Sequence, residues 1–566
     1  MFGFFGYTFY NSNISRVVNG YDDCGNICGM KNEFNTLPNC GSNDKTKDKF
    51  QLLKISVSTS YNPYHNQRYG GKKDDEIPIK IKKMCVANCN DYPGFQSVAN
   101  RCLPLNGTAK DGLSYIQWMS DHLSEFWHII LIGFTVALVF SYITLVLFGY
   151  AIKYVIWTVV VGTIVLLLFA SANCFYSYLE VSMSTVLQES NSAGFFLALS
   201  IVFLVFGLIT TRILCIYRKR VTIVVQLFKE ASKAFKDVPL ITIEPVLTFI
   251  SLVVTFIAFL YFVIVIESTG DLTVENDENG NFLRAKYELD AGMITAHVVN
   301  FIAYIWFTQF IIGCQHFIIA STISDWYFAR SKDKLDSPIS RGFSNLLNFH
   351  LGSVCLGSIF ITAMRIVRMI INRIIKLRSL AALRLFTPCF GNLITKIEKF
   401  MQFLVRNAYI IVAKDGSPLY ASGKRAFGLL KSNPVDVIVL NKIGDFVLFL
   451  TRVFVVAITS LVTYEMLDKK NSSAVFILIL LVCIFAFLVI HCFMTVFEMT
   501  LDTIIICFCE DCKENDGVDR PYFMSEDLKE VMQKLKQHDG KEINFGLQKN
   551  DPDALPMIPP AYGFEA

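Results

Sequence analysis

The distribution of charged residues divides the chain into long apolar blocks separated by polar segments. Seven blocks contain no Asp, Glu, Lys or Arg, and an eighth is interrupted by Arg452 alone. Each is close to or above the roughly 18–20 residues that a helix needs to cross the hydrocarbon of a bilayer. The charge-free blocks are 127–152, 154–179, 191–211, 245–266, 291–324, 342–364 and 472–497, and the eighth block is 446–464. The pattern predicts an all-α, polytopic transmembrane helical bundle of about 8–10 membrane segments.

The composition agrees with a membrane protein. Of the 566 residues, 53% are hydrophobic and 18% are charged, whereas soluble proteins average about 45–50% apolar and about 25% charged residues. A buried helix of a soluble protein is rarely apolar for more than about 14 residues in succession, which excludes a soluble globular fold. The net charge of +4 is too small to indicate a nucleic-acid partner, so the predicted partner is the lipid bilayer.

The positions of lysine and arginine predict an orientation, because such clusters mark the cytoplasmic side of a membrane protein. The segments after residues 211 and 324 are basic, whereas 267–290 is mainly acidic. This alternation predicts that the N-terminal polar segment is extracellular and that the C-terminal tail is cytoplasmic. Segments 342–364 and 400–413 are ambiguous, because basic residues follow the first of them. Either both cross the membrane as a pair or neither crosses fully.

The N-terminal polar segment contains six cysteines: Cys24, Cys28, Cys40, Cys85, Cys89 and Cys102. An even number of cysteines in an extracellular segment indicates disulfide bonds. A zinc site is the alternative, but no paired histidines accompany the C-x3-C spacing. Asn106 begins the glycosylation sequon N-G-T, and we expect it to be glycosylated. The predicted organisation is a partial first transmembrane segment (1–10), an extracellular Cys-rich loop (11–124), a transmembrane bundle (125–509) and a cytoplasmic tail (510–566).

No catalytic motif accompanies these features. The sequence has no H-E-x-x-H, G-x-S-x-G or P-loop pattern, and its eight histidines are scattered. We therefore expect no enzymatic activity, no metal and no cofactor. A transporter, a channel or lipid scramblase, and a receptor that works through its extracellular loop are all compatible with the predicted bundle.

Six short motifs follow one another along residues 20–525. They are G-Y-D-D-C-G-N-I-C-G at 20–29, C-V-A-N-C at 85–89, S-D-W-Y-F-A-R at 324–330, G-S-V-C-L-G-S at 352–358, R-N-A-Y-I at 406–410, and a last motif that runs from Asp502-Thr503 through N-D-G at 515–517 to R-P-Y-F-M at 520–524. In this order they resemble the motifs of the choline transporter-like proteins, solute carrier family 44. The resemblance implies a large external loop, basic inner loops and a cytoplasmic tail.

Two features depart from the pattern of the resembled family. Its members have a full hydrophobic helix before the first motif, whereas residues 1–10 are about half the length needed to span. Cys24 and Cys40 stand where the family more often has an aromatic residue and a serine, so these two cysteines could pair with each other. Cys28, Cys85, Cys89 and Cys102 would then form two disulfides, whose connectivity stays open.

The resemblance also implies a function. It predicts transport of choline and related amines such as ethanolamine across the plasma membrane, by facilitated or proton-coupled exchange. Another organic cation or thiamine pyrophosphate is the alternative substrate. Choline is a permanent cation, which aromatic rings attract through cation–π interactions worth about 0.5–2 kcal/mol each.

Block 291–324 is the candidate for the substrate site, because it is the longest charge-free block and still carries polar side chains. Helical spacing places Tyr304 on one face and Trp306, Gln309 and His316 on a neighbouring face, with Gln315 closer to the first. The residues predicted to bind substrate are Tyr304, Trp306, Gln309, Gln315 and His316, with Tyr142 from the first block. The alternative is that the aromatic residues pack and the amides join helices.

Two further sets of residues have open alternatives. Tyr176 and Tyr178 are secondary candidates for the substrate site, but an aromatic belt at the outer membrane interface is the favoured interpretation. Glu498 and Asp502 lie four residues apart and therefore share a helical face. They are candidates for proton coupling or cation binding, and the alternative is that Asp502 caps a helix or pairs with a basic inner loop.

Overall fold

The computed structural model describes residues 6, 10, 12–32, 40, 42–57, 79–93, 95–98, 100–104, 112–183, 190–276, 282–288, 290–332, 335–376, 387–432, 434–466, 472–515, 519–526 and 528–529. Its helices are α1 (Ile14–Asn19), α2 (Gly112–Met183), α3 (Ser190–Asp237), α4 (Glu244–Glu267), α5 (Ala291–Phe328), α6 (Pro338–Asn345), α7 (Leu351–Lys376), α8 (Thr387–Asp415), α9 (Leu419–Ser432), α10 (Pro434–Met466) and α11 (Ser472–Glu514). Its strands are β1 (Phe50–Val57), β2 (Ile79–Val86), β3 (Phe95–Val98), β4 (Arg101–Pro104), β5 (Asp271–Asn276) and β6 (Phe282–Glu288).

The chain forms two compact units. The cysteine-rich unit comprises Met1–Trp127 and Val254–Tyr304, and the helical unit comprises His128–Val253 and Ile305–Ala566. Within the described residues, eight helical segments are long and apolar enough to cross a membrane. They are Ile130–Tyr150, Tyr154–Ser182, Gly194–Arg212, Pro239–Glu267, Ala291–Phe328, Pro338–Arg373, Gly444–Met466 and Leu478–Glu514. The predicted fold class, a polytopic helical bundle with a disulfide-bonded N-terminal region, is confirmed.

The cysteine-rich unit contains a four-stranded sheet in the order β2-β1-β4-β3, which the sequence analysis did not predict. Strand β1 pairs antiparallel with β2 and parallel with β4. All six cysteines of this region form disulfides, which join Cys24 to Cys40, Cys28 to Cys85 and Cys89 to Cys102. The Cys28–Cys85 bond joins motif 20–29 to strand β2, and the Cys89–Cys102 bond joins the turn at Cys89 to strand β4. Asn106 lies outside the described residues.

The first glycine of motif 20–29 has a specific structural role. Gly20 has a φ of +80°, a conformation that glycine adopts without strain. A Cβ atom at Gly20 would also collide with the side chain of Gln51. That side chain donates a hydrogen bond of 2.5 Å to the carbonyl of Tyr21. The glycine therefore allows the motif to close against strand β1.

A second part of the cysteine-rich unit is held by one buried arginine. The guanidinium of Arg16 donates hydrogen bonds of 2.7 Å to the Glu267 carbonyl and 2.6 Å to the Gly270 carbonyl. It also lies 4.0 Å from the ring centroid of Tyr287. Because Glu267 ends α4 and Tyr287 belongs to the β5–β6 hairpin, Arg16 fixes the hairpin at the carboxyl end of that helix.

The two spans within α2 turn back on one another, although every residue from Gly112 to Met183 is helical. The ring of Phe148 lies 5.1 Å from that of Phe497, and the hydroxyl of Thr163 lies 3.5 Å from the Leu450 carbonyl. Phe497 and Leu450 are at similar depth, because Arg452 and Glu498 form an ion pair beside them. The chain therefore reverses between residues 148 and 163, around the charge at Lys153.

Helices α7 and α8 form an antiparallel pair. Glu398 of α8 faces Arg365 and Arg368 of α7, whereas Tyr409, farther along α8, donates a hydrogen bond of 3.1 Å to the Val354 carbonyl. Helix α7 also runs along α5, since its Ser358 contacts α5. The apolar segments 342–364 and 400–413 therefore lie together along the bundle. This packing fits either alternative, and among the described residues α7 lies in a candidate membrane span whereas α8 does not.

Positive charges collect at one end of the helical unit, which we call the basic end and define by Lys229, Lys233, Lys236, Arg330, Lys414 and Arg425. The second half of α3 lies there and is amphipathic, with exposed Lys229 and buried Phe228. The rings of Phe148, Phe228 and Phe235 all lie within 5.3 Å of the Phe497 ring. This aromatic cluster packs α2, α3 and α11 against one another.

Candidate transport site

The first predicted site residue on α5, Tyr304, packs against α4. Its ring centroid lies 4.7 Å from that of Phe259 and 6.1 Å from that of Phe256. One turn earlier, Asn300 donates a hydrogen bond of 3.3 Å to the Phe259 carbonyl. Both residues therefore hold α4 against α5 within the cysteine-rich unit.

Trp306 faces α7. Its indole N–H donates a hydrogen bond of 3.0 Å to the hydroxyl of Ser358, which in turn donates to the Cys355 carbonyl at 2.7 Å. Ser358 is the last residue of the G-S-V-C-L-G-S motif. The hydrogen bond fixes the indole ring while leaving the side chain partly exposed, as is Gln309 three residues on. Trp306 is thus an oriented aromatic ring inside a membrane span.

Gln315 faces a carboxylate that the sequence analysis missed. Its amide donates a hydrogen bond of 2.7 Å to Glu244 Oε2, and the hydroxyl of Thr248 donates one of 2.7 Å to Glu244 Oε1. Glu244 is the first residue of α4 and is buried. The signal was present in the sequence, because Glu244 directly precedes the charge-free block 245–266.

The neighbouring His316 faces a different group of charges. It lies close to Arg406 of α8 and Glu498 of α11. Arg406 forms an ion pair with Glu498 and another of 2.8 Å with Asp502. Arg452 of α10 pairs with Glu498 at 3.0 Å. We call Arg406, Arg452, Glu498 and Asp502 the charge quartet, and its two cations balance its two anions.

Glu498 and Asp502 both form ion pairs within the charge quartet. Their spacing correctly placed both carboxylates on one face of α11, and both contact Arg406. Asp502 pairs with this arginine of α8. The cations were visible in the sequence only as interruptions of apolar segments, and their partners follow from the packing of α8 and α10 on α11.

The structure does not bring all predicted substrate residues together. Trp306, Gln315 and His316 have separate partners on α7, α4 and α8. Tyr142 is 43% exposed and makes an edge contact with Phe493 at 6.5 Å between centroids. Tyr176 is 68% exposed, and Tyr178 packs on Phe175 of its own helix. The exposure of Tyr176 suits the interfacial belt better than a substrate site.

At the basic end, two of the motifs bind each other. The hydroxyl of Tyr327 donates a hydrogen bond of 3.2 Å to Asp511 Oδ2. The backbone N–H groups of Phe523 and Met524 donate to the same oxygen at 2.9 Å. Arg330 lies 3.8 Å from the Phe523 ring centroid. The S-D-W-Y-F-A-R and R-P-Y-F-M motifs therefore join α5, α11 and the following segment.

Further polar contacts join other helices at the basic end. Trp326 donates a hydrogen bond of 2.8 Å to Asp237 at the end of α3. Glu510 of α11 forms ion pairs with Lys414 of α8 and, at 2.8 Å, with Arg425 of α9. Five helices are thus tied together at this end of the helical unit.

The comparison with protein families agrees with this arrangement. The family model described as plasma-membrane choline transporter matches residues 201–513, which is more than half of the chain. The chain belongs to this family. The match begins in α3 and ends in α11, so it covers Glu244, α5 and the charge quartet. The protein is accordingly a multi-pass membrane protein of a transporter family.

Individual relatives are similar over nearly the full length. The chain is 27% identical to choline transporter-like protein 1 of Mus musculus, over 96% of this chain and 91% of the relative. It is 26% identical to choline transporter-like protein 2 of Dictyostelium discoideum, over 92% of this chain and 90% of that protein. Choline transporter-like protein 1 of Torpedo marmorata is 26% identical, over 94% and 90%. The resemblance drawn from the six motifs is confirmed.

Proposed function

We propose that this protein transports choline and related small amines, including ethanolamine, across the plasma membrane by facilitated or proton-coupled exchange. The observation that carries the proposal is the oriented indole of Trp306 in the charge-free part of α5. A fixed aromatic face attracts a quaternary ammonium through the cation–π interaction. The names of the relatives support choline as the substrate.

The proposed transport path runs along α5 within the helical unit and passes Trp306, Gln309, Gln315 and His316, whose side chains face different neighbours. Transporters place substrate near the midplane of the bilayer, between helices that move against one another. Gly313 supports close packing here, because a Cβ atom at this position would lie 2.9 Å from Val354 of α7. A small shift of α5 along α7 would therefore change access to Trp306.

The proposed orientation places segment 11–124 outside the cell and tail 510–566 in the cytoplasm. Disulfides persist in oxidising compartments, and basic segments remain on the cytoplasmic side. An epitope tag after Ala566 should be detected only in permeabilised cells, and Asn106→Gln should remove a glycan that is sensitive to glycosidase treatment. Detection of the tag on intact cells would refute the orientation.

Uptake into proteoliposomes that contain the purified full chain tests the transport function. Labelled choline and ethanolamine should enter saturably and compete with each other, whereas labelled thiamine pyrophosphate should not enter. An imposed pH gradient separates facilitated from proton-coupled exchange. Flux that stays proportional to choline concentration would indicate a channel and would contradict the proposal.

A further inference from the structure

Glu244 is a buried carboxylate at the start of α4. The residue is only 6% exposed. Its two oxygens accept hydrogen bonds of 2.7 Å each, from Thr248 and from Gln315. Both donors are neutral. Within the part of the chain that the structure describes, no lysine, arginine or histidine forms an ion pair with Glu244.

The other buried carboxylates of the helical unit have stronger partners. Among the described residues, Glu230, Glu398, Asp502 and Glu510 each form an ion pair with a lysine or an arginine. Asp511 accepts two backbone N–H bonds, one from Phe523 and one from Met524. Glu244 differs from all of them, because within the described residues neither an ion pair nor a backbone N–H group stabilises its negative charge.

The surroundings of Glu244 make this charge costly. The residue lies in the candidate span Pro239–Glu267, and its partner Gln315 lies within the charge-free part of α5. Among the described residues, the titratable groups that face it are the thiols of Cys314 on α5 and Cys492 on α11. An ionised carboxylate in such surroundings must be paired or neutralised. Gln315 and Thr248 orient the carboxylate but supply no charge.

We propose that Glu244 is a binding site for a single positive charge, which is either a proton or the ammonium group of the transported amine. This inference rests on the proposed function, which supplies a cationic substrate. Gln315 is a positioning residue that holds one carboxylate oxygen. When the proton and the ammonium compete for Glu244, the half-saturation concentration for choline rises as pH falls, because the proton occupies the carboxylate.

Choline uptake into proteoliposomes, measured from mildly acidic to mildly alkaline pH, provides the first test. In the wild type, the half-saturation concentration should rise by up to about tenfold for each pH unit of acidification, the limit for competition with one proton. Glu244→Gln should raise it by at least about tenfold at alkaline pH and abolish its pH dependence. The matched control is Glu398→Gln, which removes a buried carboxylate that pairs with Arg368 and should keep the wild-type pH profile.

Chemical labelling gives a second readout that does not depend on transport. Dicyclohexylcarbodiimide adds to protonated carboxyl groups in apolar surroundings, and peptide mass spectrometry locates the adduct. Labelling of Glu244 in the reconstituted full chain should fall as pH rises, which identifies the proton as an occupant. Protection by choline at constant pH identifies the ammonium as an occupant.

The two readouts separate failure of this inference from failure of the proposed function. Absence of choline uptake by the wild type, with pH-dependent labelling of Glu244, would contradict choline transport and support a proton site. The opposite outcome is that the wild type takes up choline, that Glu244→Gln keeps the wild-type half-saturation concentration and pH dependence, and that Glu244 is not labelled at any pH. This outcome would overturn the site and leave choline transport intact.

Discussion

Tyr327 and Asp511 link the end of α5 to the end of α11 through a hydrogen bond of 3.2 Å. Asp511 also accepts bonds from the backbone N–H groups of Phe523 and Met524, so one carboxylate oxygen holds the segment after α11 against the bundle. This contact brings together two motifs that are distant in the sequence. It also predicts that Asp511 is a residue on which the stability of the basic end depends.

Replacing Asp511 with alanine should destabilise the protein. The change leaves two backbone N–H groups without their acceptor, and each unsatisfied buried group costs about 1–3 kcal/mol. We expect a lower unfolding temperature of the detergent-solubilised protein, and faster proteolysis after α11. Asp519→Ala is the control, because Asp519 is exposed. Equal unfolding temperatures for the two variants would argue against the role assigned to Asp511.

Trp306 should determine the affinity for choline. Trp306→Ala removes the aromatic face and should raise the half-saturation concentration for uptake by roughly 2- to 30-fold, which corresponds to about 0.5–2 kcal/mol of cation–π attraction. Trp306→Phe keeps an aromatic face and should largely preserve uptake. Ser358→Ala, which removes the hydrogen bond that orients the indole, should have an intermediate effect. Unchanged uptake in both Trp306 variants, at normal surface expression, would place the substrate elsewhere.

The charge quartet should contribute to stability as a balanced unit. Arg406→Met removes the cation that pairs with both Glu498 and Asp502, and loss of one member of a buried pair costs about 3–5 kcal/mol. The double variant Arg406→Met with Asp502→Asn restores the balance and should recover part of that loss. Thermal unfolding of the two variants in detergent measures the difference. A double variant that is less stable than the single variant would show that the pair does not act as a unit.

The disulfide between Cys28 and Cys85 should stabilise the cysteine-rich unit. It joins residues that are 57 positions apart, and removal of a native disulfide typically costs about 2–5 kcal/mol. Cells that express the Cys28→Ser, Cys85→Ser double variant should show more cleavage of this unit by external protease. Cys174→Ser, which removes a free thiol, is the control. Free thiols at Cys28 and Cys85 in surface protein, found by mass spectrometry of unreduced peptides, would contradict the pairing.

The sequence predicted the membrane spans well, because an unbroken apolar block has few other uses in a protein. It did not predict the strands of the cysteine-rich unit. Strands β3 and β4 have four residues each, and a run of that length carries too little periodicity to be distinguished from a loop. Their pairing also depends on β1, which lies about 50 residues away along the chain.

The candidate site was only partly predicted, because its contacts also join residues that are distant in the sequence. The polar residues of α5 were visible because they interrupt an apolar block, but their partners depend on packing. Gln315 and His316 are adjacent in sequence and face different centres, Glu244 and the charge quartet. Helical periodicity separates the faces of one helix, but it does not identify the neighbour on each face. Glu244 stands out through its packing, because within the described part of the chain its two hydrogen-bond donors are the neutral side chains of Thr248 and Gln315.

Counterflow tests the central claim most directly. Proteoliposomes that contain the full chain are loaded with unlabelled choline and diluted into a trace of labelled choline. A transporter that exchanges choline should accumulate the label transiently above its external concentration, and vesicles without protein should not. Label that enters only to its external concentration, at a rate unaffected by internal choline, would contradict the assignment of this protein as a choline exchanger.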